Sequence, residues 1–332
     1  MTDLVSQAAR KYDVVGDIPG VGPATAEKLK ELGFNTVESL ATATVKEIVP
    51  AGIGEKQAAR IISEARDSIA LTFVRADELM RMKENVLRLT TGSKGLDELI
   101  GGGLESQTIT EFYGEYGVGK SILCHQLAVN VQLPPSQGGL DGSALYLDTE
   151  QTFRPEWIVR MANSLGLDPS KAAQRIIYSE AYNSDHQMLL LEKADQVIKE
   201  NNVRLIIIDS LTSHFRSEYL GREMLAERQQ KLNNHMHRMI RLARSFNAVA
   251  VVTNQVMSRP DAFFANSVDP VGGHIVAHTS HTRVFIRRAA SGPVRIARLV
   301  SSPYLPEGER LFKVTEAGIM DVSEEDEAKR RR

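Results

Sequence analysis

Apolar positions along the chain follow two rhythms, and the change between them divides it. From Pro23 to Leu32 and from Glu55 to Ala65, small and apolar residues recur at helical spacing (Ala26 and Leu29, Ala58 and Ile61). That pattern predicts short amphipathic helices. Beyond Asn85 the pattern becomes short apolar or β-branched runs separated by longer helical stretches. Strands are predicted at Thr108–Tyr113, Ala144–Asp148, Arg175–Tyr178, Arg204–Asp209 and Ala248–Thr253. Strands alternating with helices imply an α/β domain whose sheet is mostly parallel, with helices on its faces. Three later runs, Thr282–Arg287, Val294–Val300 and Leu311–Thr315, are closely spaced and predict antiparallel strands at one edge. A long helix is expected from Glu223 to Phe246.

The two helical stretches form a weak internal repeat. Ile18-Pro19-Gly20-Val21-Gly22 opens the first and Val49-Pro50-Ala51-Gly52-Ile53-Gly54 the second, offset by 32 residues. Each unit reads as helix, tight hairpin, helix. Hairpin glycines such as Gly20 and Gly22 leave backbone N–H groups uncovered, so a DNA phosphate can dock without any base being read. A helical bundle using its glycines only to turn, or binding protein, is the alternative. The resulting division is an all-α helix-hairpin-helix domain over 1–66, a linker over 67–84, the α/β core over 85–322, and a charged tail over 323–332. In the linker, Phe73 and Ala76 put an aromatic and a small residue three apart, a candidate anchor for another surface.

Bulk numbers add little. The chain has 332 residues, 42% hydrophobic and 25% charged, with a formal net charge of −2, so any DNA contact must come from local patches. The lone cysteine, Cys124, excludes an internal disulfide and fits a reducing compartment. Neither a transmembrane-length apolar run nor a signal-peptide pattern is present, and an intracellular protein is expected.

The chemistry concentrates after the first core strand. Gly114-Glu115-Tyr116-Gly117-Val118-Gly119-Lys120-Ser121 is a Gly-x-x-x-x-Gly-Lys-Ser phosphate loop between a strand and a helix. Its glycines let successive N–H groups curl around phosphate oxygens, Lys120 supplies charge to the terminal phosphates, and Ser121 offers a hydroxyl to Mg²⁺. The expected ligand is a nucleoside triphosphate with Mg²⁺. Leu205-Ile206-Ile207-Ile208-Asp209 is a buried-strand pattern ending in a carboxylate. It is expected beside the loop-bearing strand, with Asp209 near the metal. Asp148-Thr149-Glu150 ends another strand, and both acids are expected to face the nucleotide. Glu150, with the longer reach, is the candidate for orienting the attacking water; Thr149 or Thr152 suits a helix cap better.

Two loops have a composition suited to single-stranded DNA. Arg216 to Arg228 includes Arg222. Val256 to Gly273 includes Arg259, Phe263, Gly272 and Gly273. Arginines track phosphates and aromatics stack on bases, although a lid or subunit contact fits the second loop equally. His214, His235 and His237 lack the partners that metal ligation needs.

Jointly these segments resemble the RecA-like recombinase family, its archaeal RadA branch above all. The resemblance rests on the phosphate loop, Asp148 to Glu156, Leu225 to Gln230, Thr253 to Val256, Gly272 to His278 and Ser302 to Glu309, and it covers nearly the whole chain. It implies a DNA-dependent ATPase that forms filaments on single-stranded DNA and exchanges strands with duplex DNA in recombinational repair. It further implies that Arg154 stacks on adenine, Gln255 couples the γ-phosphate to the DNA loop, and His278 approaches a neighbour's nucleotide. Pro303 and its neighbours would cap that nucleotide, and Phe73 and Ala76 would plug the next subunit. Recombination mediators are further implied partners; a membrane is not. The place implied is the cytoplasm, at the nucleoid. Ser301, where the family usually has an acid, and Asn266-Ser267-Val268-Asp269 depart from the pattern. A ring helicase on the same core, or a regulatory paralogue, are the alternatives; such paralogues tend to lack the hairpin module.

Overall fold

The computed structural model describes residues 12–68, 75–258, 268–270, 273–289 and 292–323. The chain divides into two compact units, Met1–Glu84 and Asn85–Arg332.

In the first unit a 3₁₀ turn at Val15–Asp17 leads to α1 (Pro23–Glu31), α2 (Val37–Ala41), α3 (Val45–Ile48) and α4 (Glu55–Ser68), and α5 (Ala76–Lys83) follows. Pro23 begins α1, where its missing N–H costs no bond and its fixed φ suits a first turn. Gly20 and Gly52 are equivalent in the repeat, and both adopt positive φ, +91° and +81°, a conformation open to glycine. Gln57 Nε2 donates to the Gly20 carbonyl at 3.0 Å, joining the two hairpins. Leu29, Leu40, Ile48, Ala58 and Ile61 are buried together in a core of this unit's own residues. The span expected as a loose linker is helical at both ends. Acids in the first turn of α5 and Arg81 and Lys83 in the last complement its dipole. Phe73 lies outside the described residues; Ala76 opens α5 and is exposed.

The second unit begins with β1 (Arg88–Leu89), α6 (Lys94–Leu99), β2 (Leu104–Glu105), β3 (Ile109–Tyr113) and α7 (Lys120–Asn130). Then come β4 (Ser143–Asp148), α8 (Pro155–Ser164), α9 (Pro169–Gln174), β5 (Ile176–Glu180), α10 (Ser184–Glu192), α11 (Ala194–Glu200) and β6 (Val203–Asp209). The chain continues through α12 (Ser213–Glu218), α13 (Leu225–Ser245), β7 (Val249–Asn254), β8 (Val256–Ser258), β9 (Val268–Pro270) and α14 (Gly273–Thr279). It closes with β10 (Thr282–Arg288), β11 (Val294–Ser301), β12 (Gly308–Thr315) and β13 (Gly318–Met320).

Nine strands form one sheet in the order β13-β12-β11-β10-β3-β7-β6-β4-β5. The run from β10 to β5 is parallel, and β11 to β13 continue it antiparallel. Every residue of β3, β4 and β7 is buried, as expected when helices cover both faces. Alternate residues serve the two faces. Phe112, Tyr146, Ile207 and Val251 pack with Leu123 and Leu127 of α7. Ile109, Leu145, Ile208 and Val252 pack with Met236 and Met239 of α13.

Two topological expectations need correction. β10 pairs parallel with β3 while also pairing antiparallel with β11. The helix α14 carries the chain back so that β10 starts at the same end as β3, which spacing along the sequence does not reveal. β6 does not adjoin β3, because β7 lies between them. Sequence order says nothing of this insertion, as β7 follows β6 in the chain.

Candidate active site

The parallel strands end together, and their ends build the site. In register, Asp148 pairs with Asp209 across β4 and β6, and Tyr113 with Asn254 across β3 and β7. The loop after β3 therefore opens beside the carboxylates that end the other strands.

Gly114 permits this loop. A Cβ there would lie 2.1 Å from the Ile286 carbonyl oxygen, so the backbone passes where a side chain cannot. Gly117 and Gly119 have φ of +74° and +105°. Glu115, Tyr116 and Gly117 are exposed, Val118 is buried in the core, and Gly119 precedes Lys120, the first residue of α7. Arg288 donates to the Gly117 carbonyl at 3.0 Å and Arg295 Nε to that of Val118 at 2.9 Å. These braces come from β10 and β11, and nothing in the loop's own sequence announces them.

Lys120 Nζ donates to the Gly114 and Glu115 carbonyls at 2.8 Å each. Burial lowers its pKa, and the charges of Asp209 and Glu150 oppose that shift. Both carboxylates thus lie within electrostatic reach of the ammonium. Asp209 accepts from Tyr146 Oη at 2.8 Å and from Thr253 Oγ1; motif reading passed over Tyr146 and gave Thr253, quoted within its run, no role.

Glu150 is half-buried. Its Oε1 accepts from Ser210 Oγ at 2.6 Å and from Gln255 Nε2 at 3.0 Å. The Thr149 hydroxyl donates to the Ser210 carbonyl and accepts from the Ser210 N–H, both at 2.8 Å, so Thr149 locks two strand ends together and caps no helix. Asp148 departs from expectation. It is fully buried and accepts from the N–H groups of Glu150 and Phe153 at 3.0 and 2.9 Å. Its charge is spent folding its own turn, because buried N–H donors must be satisfied.

Arg154 is exposed, and its N–H donates to His125 Nε2 at 3.0 Å. Since that nitrogen accepts, the proton sits on Nδ1, 2.5 Å from the Ser121 carbonyl. His125 is neutral, its pKa lowered by burial, and it stacks on Phe153 at 4.9 Å. Ser121 stands one residue into α7. Its hydroxyl and the Asp209 carboxylate are hard oxygen donors, which suits Mg²⁺ completed by phosphate oxygens and water. Among the described residues no cluster of three His, Cys, Asp or Glu could hold a metal. The donor types and the glycine-built loop fit a Mg²⁺-bound nucleoside triphosphate.

Other candidates lie around this centre. The loop expected from Arg216 to Arg228 is shorter than that, since Arg216 lies in α12 and Arg228 in α13. Arg222 is exposed on the intervening turn. Arg259, Phe263 and Gly272 lie outside the described residues, and Gly273 begins α14. His278 is exposed on α14. Pro303 is exposed, and the adjoining Tyr304 Oη donates to Glu105 at 2.7 Å. Cys124 is buried and its thiol is pushed well up by burial. No described helix is long and apolar enough to cross a membrane.

Residues 82–322 match the Rad51 family model, and residues 13–67 match a SAM-like helix-hairpin-helix tandem. Over 313 residues the chain is 48% identical to a DNA repair and recombination protein RadA of Aeropyrum pernix, covering 94% of this chain and 98% of that protein.

Proposed function

This chain belongs to the Rad51 family, and from that premise we propose that it is a DNA-dependent ATPase that polymerises on single-stranded DNA and exchanges strands with a homologous duplex. The observation that carries the reading is the contact of Glu150 with Gln255. The carboxylate to which we assign the orienting of water is hydrogen-bonded to the residue from which the candidate DNA loop departs. A strand held by that loop would therefore bear directly on hydrolysis.

Mg²⁺-ATP, when bound, supplies the phosphoryl bond and the neutralisation of its oxygens. The N–H groups of residues 115 to 121 cradle the phosphates. Lys120 would exchange the loop carbonyls for the terminal phosphates. Ser121 and Asp209 would hold the metal, and Arg154 would cover the adenine. Glu150 accepts a hydrogen bond from the attacking water and orients it, with Ser210 fixing the carboxylate rotamer. Arg222, Arg228 and the stretch from Arg259 through Phe263 to Gly272 and Gly273 hold the strand. His278 and Pro303 meet a neighbour's nucleotide, Phe73 and Ala76 anchor one copy on the next, and Gly20 and Gly22 hold duplex phosphates. Residues 1–66 would serve as the duplex-binding module and 67–84 as the tether to the ATPase core of 85–322, with 323–332 a solvated tail. Recombination mediators would engage the assembly in the cytoplasm.

Replacing Lys120 by Ala should lower DNA-stimulated hydrolysis by about 100-fold or more, as expected for loss of a transition-state charge. Activity that survives this change would place hydrolysis elsewhere. Electron microscopy with single-stranded DNA and a non-hydrolysable ATP analogue should show filaments; particles of one copy alone would end the assembly reading.

A further inference from the structure

Between β10, β3 and β7 lies a buried ion pair. Arg283 Nε donates to Glu111 Oε2 at 2.7 Å, with side-chain exposures of 11% and 0%. Burying two charges costs more than their attraction commonly returns, and apolar residues of similar volume often do as well or better. Stability alone is therefore a poor reason for this pair, and its second contact supplies a better one. Glu111 Oε1 accepts from Asn254 Nδ2 at 3.0 Å. A carboxylate here only accepts, so it fixes which end of the Asn254 amide turns toward β3.

The other end is then committed as well. Asn254 Oδ1 accepts from Thr212 Oγ1 at 2.7 Å and from the Gln255 N–H at 2.9 Å. The Asn254 carbonyl accepts from the Gly114 N–H at 3.3 Å. One residue thus touches the first residue of the phosphate loop and sets the backbone direction of Gln255. Gln255 in turn reaches Glu150.

We propose that Glu111 and Arg283 are positioning residues for hydrolysis: through the Asn254 amide they aim Gln255 at Glu150. The inference rests on the ATPase reading above. With Glu111 replaced by Gln, the new amide would present a donor to Asn254. The Asn254 side chain would then turn over, and its own donor would face the Gln255 N–H. Pairing Glu111→Gln with Asn254→Asp restores the contacts with Arg283, Thr212 and the Gln255 N–H. The amide introduced on β3 accepts from Arg283 and donates to the carboxylate introduced on β7. That carboxylate accepts in turn from the Gln255 N–H and the Thr212 hydroxyl.

The test uses the full chain with single-stranded DNA and ATP, and compares Glu111→Gln, Asn254→Asp and the double variant. Each single change should lower kcat about tenfold with KM for ATP within about twofold, and the double variant should recover at least about half of the parent kcat. Amide exchange over residues 254–258 should rise about tenfold in the single variants and return in the double. Parent-like kcat and exchange in Glu111→Gln would overturn the proposal. So would losses of kcat, KM and melting temperature that move together without rescue. If neither single variant folds, the double decides: folded and active supports the chain of contacts, and insolubility equal to the singles overturns it. If the parent lacks DNA-stimulated hydrolysis, the ATPase reading fails, while the exchange measurement still judges the network.

Discussion

At Gly114 the phosphate loop is tied to a strand that the sequence places more than 170 residues away. A Cβ would meet the Ile286 carbonyl at 2.1 Å, and a backbone atom cannot swing aside as a side-chain tip can. Gly114→Ala should therefore lower unfolding free energy by about 3 kcal/mol, the upper end of overpacking costs, and should weaken nucleotide binding. Urea denaturation and nucleotide titration measure the two effects. Ser210→Ala should behave differently. The hydroxyl holds Glu150 at 2.6 Å and sits at the rim of the core, so its loss should lower kcat about fivefold with KM and urea midpoint little changed. At this scale the strand-to-helix setting of Lys120 and Ser121 was legible from the glycine spacing of the loop, and the strand-end place of Asp209 from the apolar run before it. Ser210, Tyr146, Thr253 and His125 were not. Their partners come from other strands, and no local pattern marks a hydroxyl that will face a carboxylate. Asp148 was misread because a strand-end acid can serve its own turn as readily as a ligand.

The helix α6 begins under a cap supplied from the far end of the chain. Asp321 accepts from Ser93 Oγ at 2.6 Å and from the Lys94 and Gly95 N–H groups at 3.1 Å each. Asp321→Ala should cost about 1 kcal/mol of stability, the usual worth of an N-terminal cap, as read by the melting temperature. On α13, His235 is buried, its ring accepts from Gln187 Nε2, and burial lowers its pKa to about 4. An unfolded histidine titrates near about 6.5, so protonation favours unfolding. The stability due to the neutral ring is complete above about pH 6.5 and is lost as pH falls toward about 4, on the order of 3 kcal/mol in all. Urea midpoints should drop across that window, and less steeply in His235→Gln. Element types were readable from periodicity for α1, α4, α13 and the buried strands, since an apolar period of two or of 3.6 registers directly in the sequence. The direction of β10 was not readable, because both neighbours of an interior strand are chosen by packing.

For the molecule as a whole, the two units keep separate cores. Residues of the first bury one another between Val15 and Ala65, and those of the second begin at Leu89. A chain encoding 85–332 alone should fold and bind Mg²⁺-ATP, while without the Phe73 and Ala76 anchor its DNA-stimulated hydrolysis should fall; its affinity for duplex DNA should also fall and depend less steeply on salt. Calorimetry of the fragment and salt-dependent DNA titrations check this; a fragment that does not fold would show that residues 1–84 complete the core.

The order of residues, by itself, determined the two-unit plan, the phosphate loop and the acids that end β4 and β6. These depend on spacing within one short segment, where covalent geometry limits what the chain can do. Tertiary structure alone decided that β7 enters between β3 and β6, that Asp148 turns inward, and that Glu150 meets Ser210 and Gln255. Those outcomes depend on which strands lie side by side, and pairing between distant segments is settled by the burial of whole faces rather than by any local signal.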